Sequence, residues 1–119
     1  MAMDYGHPVA DMGRAAIDAG THLYEQLRNI YPQHAPDWLW KKVGITPMIG
    51  LNDVPQETFT LDNARHLADW AIEKHIGRLA QWSVQRDHPC DKTYVDLHCS
   101  GVPEQTDYEF CQILGKFTG

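Results

Sequence analysis

No segment of this chain is apolar for long. Nothing approaches the ~20 consecutive apolar residues that a membrane-spanning helix needs, so no membrane span is expected. Basic residues are scarce and scattered, 10 against 16 acidic ones. A net charge of -6 leaves no electrostatic footprint for nucleic acid or an anionic membrane. A Gly-rich phosphate loop is missing. So are Gly-x-Ser-x-Gly and any cysteine grouped in sequence with a Ser/His/Asp set, which removes the commonest nucleotide and acyl-transfer signatures. No cofactor is expected. The N-terminus lacks the basic and apolar regions of a signal peptide, and no low-complexity linker divides the chain.

What is present is ordinary globular material. With 43% hydrophobic and 22% charged residues the chain falls outside the disordered range, and 119 residues make one domain. Met1–Tyr5 reads as a strand ended by Gly6 and Pro8. It leaves Met3, Asp4 and Tyr5 at its C-terminal end. A chain that opens inside a strand is expected to lack an upstream part. Asp11 is placed to cap a helix over Gly13–Tyr31, whose stripe of Ala16, Ile17, Gly20, Leu23, Tyr24, Leu27, Ile30 and Tyr31 has helical spacing. Pro32 stops it. Pro36-Asp37 starts a short helical stretch with Trp38, Leu39 and Trp40. Those tryptophans read first as packing beneath a connection, with sugar stacking as the alternative.

Lys42–Ile49 is a near-continuous apolar run, as in a strand buried on both faces of a parallel sheet. Pro47 cannot donate to a ladder and favours a strand end or an irregularity there. The loop Gly50–Pro55 sets Asn52 and Asp53 just past this strand. Thr60 is an N-cap candidate for a helix burying Leu61, Ala64, Leu67, Ala68, Ala71 and Ile72. Gly77 is the expected C′ glycine. Arg78–Val84 is a third strand, delivering Trp82 to its own C-terminal end. Gln85–Gln105 reads as loop. Asp107–Phe117 reads as a final helix with Tyr108, Cys111, Leu114 and Phe117 on one face.

This order predicts an α/β fold of three parallel βα units with right-handed crossovers. Three strands leave hydrophobic edges unpaired. The pattern therefore suggests a piece of a larger fold, and such edges would also allow self-association.

Met1-Ala2-Met3-Asp4-Tyr5-Gly6, Ile45-Thr46-Pro47-Met48-Ile49-Gly50-Leu51-Asn52-Asp53, Phe59-Thr60-Leu61-Asp62-Asn63-Ala64 and Gly77–Asp87 occur in register. Together they resemble the C-terminal part of bacterial chitinase-like proteins of glycoside hydrolase family 18. Tyr108-Glu109-Phe110 with Phe117 fits the same ending. The resemblance implies a partial (β/α)8 barrel, this chain supplying the sixth, seventh and eighth βα units. Active sites of such barrels lie at the C-terminal ends of the strands. It also implies a ligand, chitin or chitooligosaccharide, and a secreted full-length parent. Family members cleave β-1,4-linked N-acetylglucosamine polymers by substrate assistance, with the substrate's acetamido group as nucleophile and one glutamic acid as proton donor. That glutamate closes an Asp-x-x-Asp-x-Asp-x-Glu motif, and no such motif occurs here. The chain alone is expected to be inactive.

By the same resemblance, Trp82 is the tryptophan that stacks under the sugar. Asp4 matches the aspartate of a Met-x-Tyr-Asp pattern that sets the acid's protonation. Met3 stands where that pattern has its tyrosine, so acetamido recognition would fall to Tyr5 or another residue. Asn52 and Asp53 are candidate polar lining residues by position. Each has a plainer alternative: core packing for Trp82, an ordinary strand-end acid for Asp4, and turn formation for Asn52 and Asp53. Cys90 and Cys99 form the candidate disulfide, in keeping with a secreted parent. Zinc ligation with His88 and His98, or free thiols, are the alternatives; the spacing matches no familiar zinc pattern. Two further functions stand beside the hydrolase fragment. One is a non-enzymatic chitooligosaccharide-binding module, and the other is an oligomeric interaction protein.

Overall fold

Three chain segments run side by side in the same direction. The structure, a computed structural model, describes residues 1–54 and 56–119; the last residue of the predicted loop 50–55, Pro55, lies outside the described residues. The middle segment carries β1 (Gly44–Ile45), paired in parallel with β4 (Arg78–Leu79). Single parallel bridges continue the row, from Ala2 to Pro47 on one side and from Met48 to Trp82 on the other. The regular strands are much shorter than the apolar runs Met1–Tyr5, Lys42–Ile49 and Arg78–Val84 suggest. Their hydrogen bonds nonetheless reach the same length of chain, from Gly77 N on Val43 O (2.9 Å) through Ala80 N on Ile45 O (3.0 Å) to Trp82 N on Pro47 O (2.9 Å). Pro47 sits within the row rather than at its end. It takes part only as an acceptor, which is all a proline can do.

One strand pair contradicts the sequence reading. The stretch after Ile49, expected to be loop, forms β2 (Gly50–Leu51), which pairs antiparallel with β3 (Thr58–Phe59). Such short strands carry too little alternation to register as a period-2 pattern.

The helices flank this row. α1 (Met12–Ile30) starts at Asp11, whose side chain accepts from Arg14 N at 2.9 Å. α2 (Pro36–Trp40) brings Trp40 against Tyr24, ring centroids 4.0 Å apart and stacked, while Trp38 stacks on His34. α3 (Leu61–Lys74) opens on a capping box: Asn63 N donates to Thr60 Oγ1 and Thr60 N donates to Asn63 Oδ1. α4 (Glu109–Leu114) closes the chain against α3, which also packs on α1. The core is Val43, Ile45 and Ile49 from the row, Met12 and Ala16 from α1, and Ala64, Leu67, Ala68 and Ala71 from α3. Phe59 and the α4 residues Phe110, Ile113 and Leu114 complete it.

Two helix-end readings are corrected. α3 ends through His75, which takes the left-handed conformation at φ 56°. Gly77 is needed for a different reason, close approach: a Cβ there would lie 2.0 Å from the Lys41 carbonyl oxygen. In α4 the buried face is Phe110, Ile113 and Leu114, whereas Tyr108 is exposed at φ 60° and Cys111 is half-buried. The helix is too short for its periodicity to fix the face from sequence.

Gly77→Ala is expected to cost ~2–4 kcal/mol, the range of strongly destabilising single substitutions. Urea unfolding checks it.

Candidate sugar cleft

The site is built on the turn that follows Trp82. The Trp82–Ser83 peptide is cis, and Val84–Arg86 form one 3-10 turn. Arg86, the last residue of that turn, and Asp87, which follows it, are both fully buried. A buried guanidinium is tolerated only when its N–H groups are matched by acceptors. Arg86 Nε donates to Asp96 O (2.8 Å), Nη2 to Leu51 O (2.8 Å) and Nη1 to Ile49 O. One side chain thus holds the β2 strand and the long loop after it in fixed relation. Burial lowers the Arg86 pKa from its ordinary value, opposed by the carboxylates of Asp53 and Asp96. An arginine remains charged through such a shift. Its Cζ lies 5.6 Å from the centroid of the Trp82 ring, within cation–π range. Trp82 itself is 37% exposed, so an indole backed by a buried cation still offers surface to a ligand.

Asp87 anchors the other side of the turn. Its carboxylate accepts from Cys111 N (2.8 Å), Gln105 Nε2 (2.9 Å), Phe110 N (3.1 Å) and Gln81 Nε2 (3.3 Å). It therefore caps α4 from a distant position in the chain, where the orphan N–H groups of a helix start need acceptors. Burial, helped by Asp87, pushes the Cys111 thiol up to about 11.

The other predicted residues take different positions. Met3 is half-buried. Asp4 is exposed, with φ 57°, just beyond the bridged Ala2. Tyr5 is half-buried, and neither its hydroxyl nor the Glu57 carboxylate oxygens, all buried, has a hydrogen-bond partner among the described residues. Burial raises Tyr5 to about 12, with the charges of Glu57 and then Asp18 adding to it, so its hydroxyl stays a neutral donor. Asn52 is buried, its Nδ2 donating to Met48 O and Gly50 O at 3.0 Å each. This is the turn-forming use of an Asn amide. Asp53 is exposed. The row brings Asn52 and Trp82 to one short segment: Asn52 binds Met48 O, while Ile49 N donates to Trp82 O at 3.0 Å. Asp4 and Tyr5 follow the neighbouring segment at the same end of the row.

Cys90 and Cys99 are joined in a disulfide, Cα atoms 5.9 Å apart. His88 Nδ1 faces Asp107 Oδ1 at 2.9 Å. Gly50, at φ 68°, lets this loop lie against β2: a Cβ there would lie 2.1 Å from Ser100 O, which accepts from Leu51 N at 2.8 Å. Among the described residues no group of three or more His, Cys, Asp or Glu is placed to hold a metal ion. Arg86, Asp87 and Glu57 were not singled out from sequence. A charged dipeptide shortly after Trp82, beyond Ser83, Val84 and Gln85, was the available signal for the first two; Glu57 carried none.

A mixed α/β unit with parallel strands, presenting an aromatic ring and polar groups at one end of the row, is the class that this fold and site define. Comparison with known proteins gives that class a family. The chain is 30% identical over 99% of its length to a probable bifunctional chitinase/lysozyme of Escherichia coli K12, and 32% identical over 78% of its length to endochitinase 11 of Metarhizium anisopliae. It spans about 14% and 20% of those relatives. Against the catalytic domain of a hyperthermophilic chitinase from Pyrococcus furiosus it superimposes with a TM-score of 0.90 at 41% identity, covering 98% of this chain and 38% of that one. Catalytic-site mutants of active domain 2 of the P. furiosus chitinase, complexed with chito-oligosaccharides, match equally well. No family model matches. The chain is chitinase-like, and it resembles the C-terminal part of the chitinase-like proteins of glycoside hydrolase family 18.

Asp87→Ala removes an acceptor shared by four donors and is expected to cost ~2–4 kcal/mol, with loss of helical signal from α4 in circular dichroism. Tyr5 gives a pH signature. Its folded-state pKa lies above the unfolded value, so its contribution to stability is complete below about pH 10 and is lost as pH rises toward about 12. An alkaline absorbance titration should show one late tyrosine, absent in Tyr5→Phe.

Proposed function

We propose that this chain supplies three βα units of a (β/α)8 barrel and part of the sugar cleft of a chitin-degrading glycoside hydrolase. Its substrates would be β-1,4-linked N-acetylglucosamine polymers. The observation that carries this reading is Trp82: a partly exposed indole at the C-terminal end of a parallel row, fixed from behind by the Arg86 guanidinium. An indole face matches the C–H face of a pyranose, and an aromatic ring supplies a large contact area at little entropic cost. The P. furiosus domain whose fold this chain shares has been obtained with chito-oligosaccharides bound, which supports a ligand of the same class.

The residues take the following roles in this reading. Trp82 stacks under one sugar. Tyr5, neutral at all physiological pH values, donates a hydrogen bond near the acetamido group, where Met3 offers none. Asp4 lies beside the proton donor's position. Asn52 holds the turn, and Asp53 stands beside it. The proton-donating glutamate and its Asp-x-x-Asp-x-Asp-x-Glu motif are not in this sequence, so these 119 residues bind without cleaving. The full-length protein is secreted in the same proposal, and the Cys90–Cys99 disulfide supports that assignment.

Calorimetry with chitotetraose tests it. The folded protein should release heat on binding, and Trp82→Ala should weaken binding about tenfold or more. No measurable hydrolysis should accompany binding. A folded sample that binds no chitooligosaccharide would overturn the cleft, and hydrolysis by the isolated chain would overturn the assignment of a missing proton donor.

A further inference from the structure

The Cys90–Cys99 disulfide closes a loop that supplies part of what fixes Arg86. Asp96, inside the closed segment, gives its backbone carbonyl to Arg86 Nε at 2.8 Å. Ser100, directly after Cys99, gives its carbonyl to Leu51 N at 2.8 Å, and the Leu51 carbonyl accepts from Arg86 Nη2 at 2.8 Å. Two of the three acceptors of the buried guanidinium therefore depend on where segment 96–100 lies. The third, Ile49 O, belongs to the central segment.

The other bonds that hold the loop are weaker. Lys92 Nζ pairs with Asp96 Oδ2 at 2.6 Å, but both side chains are partly exposed, where an ion pair stabilises little. His98 N donates to Asp96 Oδ1 at 2.7 Å, a contact internal to the loop. At the neck, Ser100 N donates to His88 O at 3.0 Å. The disulfide is the covalent closure that restricts the segment between its ends. Opening it frees the segment to fluctuate, and a buried guanidinium whose acceptors move away is costly. The turn relaxes in response, and the cation 5.6 Å from the Trp82 ring centroid loses its fixed position.

The two sulfurs differ in access. Cys90 is half-buried, whereas Cys99 is only 7% exposed. A dithiol reductant, as its thiolate, attacks the Cys90 sulfur. The S–S bond breaks and Cys99 leaves with the electron pair and takes up a proton. The second thiol of the reductant then displaces Cys90 from the mixed disulfide. Two electrons pass to the protein, the two thiol protons of the reductant end on Cys90 and Cys99, and the reductant becomes a cyclic disulfide. The remaining cysteine, Cys111, does not compete as a nucleophile: burial pushes its thiol up to about 11, and only the thiolate attacks.

We propose that the Cys90–Cys99 pair is a redox switch on sugar binding. Oxidised, it holds the Arg86 turn that fixes Trp82; reduced, it releases that turn and weakens binding. The inference rests on the Trp82 cleft reading above and adds to it a condition on where the cleft is assembled. A reducing cytosol keeps such a pair open and an oxidising exterior closes it, so ligand affinity rises on passing from one to the other.

Proton–nitrogen correlation spectra and calorimetry with chitotetraose test this on three samples: the oxidised protein, the same protein reduced with dithiothreitol, and Cys90→Ser/Cys99→Ser. Reduction should shift or broaden the Trp82 indole N–H signal, assigned through Trp82→Phe, and leave those of Trp38, Trp40 and Trp70 in place. Affinity should fall about three- to tenfold, as for the loss of one hydrogen bond. Reoxidation should restore it, and the double serine variant should match the reduced protein under either condition. Equal affinity before and after reduction, with binding by the oxidised protein intact, would overturn the switch and leave the Trp82 cleft standing. No binding by the oxidised protein would remove the cleft and the switch together. Loss of the cooperative thermal transition on reduction, with all four indole signals collapsing at once, would make the disulfide a staple of the whole fold and overturn a switch confined to this turn.

Discussion

The burial of one guanidinium is the constraint on which the rest of this end of the molecule depends. Arg86 is inaccessible to solvent, and three of its N–H groups meet backbone carbonyls of Ile49, Leu51 and Asp96. These carbonyls belong to two segments distant in sequence, the exit of the central strand into β2 (Ile49 and Leu51) and the disulfide loop (Asp96). A charge buried with its donors matched imposes direction as well as attraction, because each N–H leaves the planar group at a fixed angle. The arrangement sets where the hairpin turns, where the loop lies and what stands behind the Trp82 ring.

Asp87, the next residue, does the corresponding work on the opposite side. Its carboxylate takes the first free N–H groups of α4 and ties them to Gln81 and Gln105. Ser100 Oγ, itself bound to Gln105 Oε1, accepts from Val102 N at 3.1 Å and extends this polar network beneath the loop. Such buried networks are stabilising only when their members are satisfied. Arg86 and Asp87 meet that condition with carbonyls and amides brought in from elsewhere in the chain. Trp82, upstream of Arg86 with the guanidinium 5.6 Å from its ring, is therefore followed by a turn anchored on both sides.

Less of the polar interior is satisfied around Glu57 and Tyr5. Both carboxylate oxygens of Glu57 and the Tyr5 hydroxyl are buried without partners among the described residues, and the Glu57 charge adds to the rise in the Tyr5 pKa. Tyr5 follows Asp4 just beyond the bridged Ala2, on the segment beside the one that carries Met48.

By itself the sequence determined the alternation of elements, the helix starts at Asp11, Pro36 and Thr60, and the parallel direction of the row. These follow from local rules: caps, proline and 3.6-residue spacing act within a few residues, so they can be read without knowing the fold. Trp82 and its resemblance-bearing neighbours were legible for the same reason. Only the tertiary structure decided the β2–β3 pairing, the exchange of roles between His75 and Gly77, the buried face of α4 and the use of the Asn52 amide on backbone carbonyls. It alone revealed Arg86 and Asp87 as anchors, because their partners lie between 6 and 37 residues away. A buried charge and an exposed one are the same letter in the sequence; what separates them is whether distant carbonyls and amides converge on the same point, and only the folded chain brings them there.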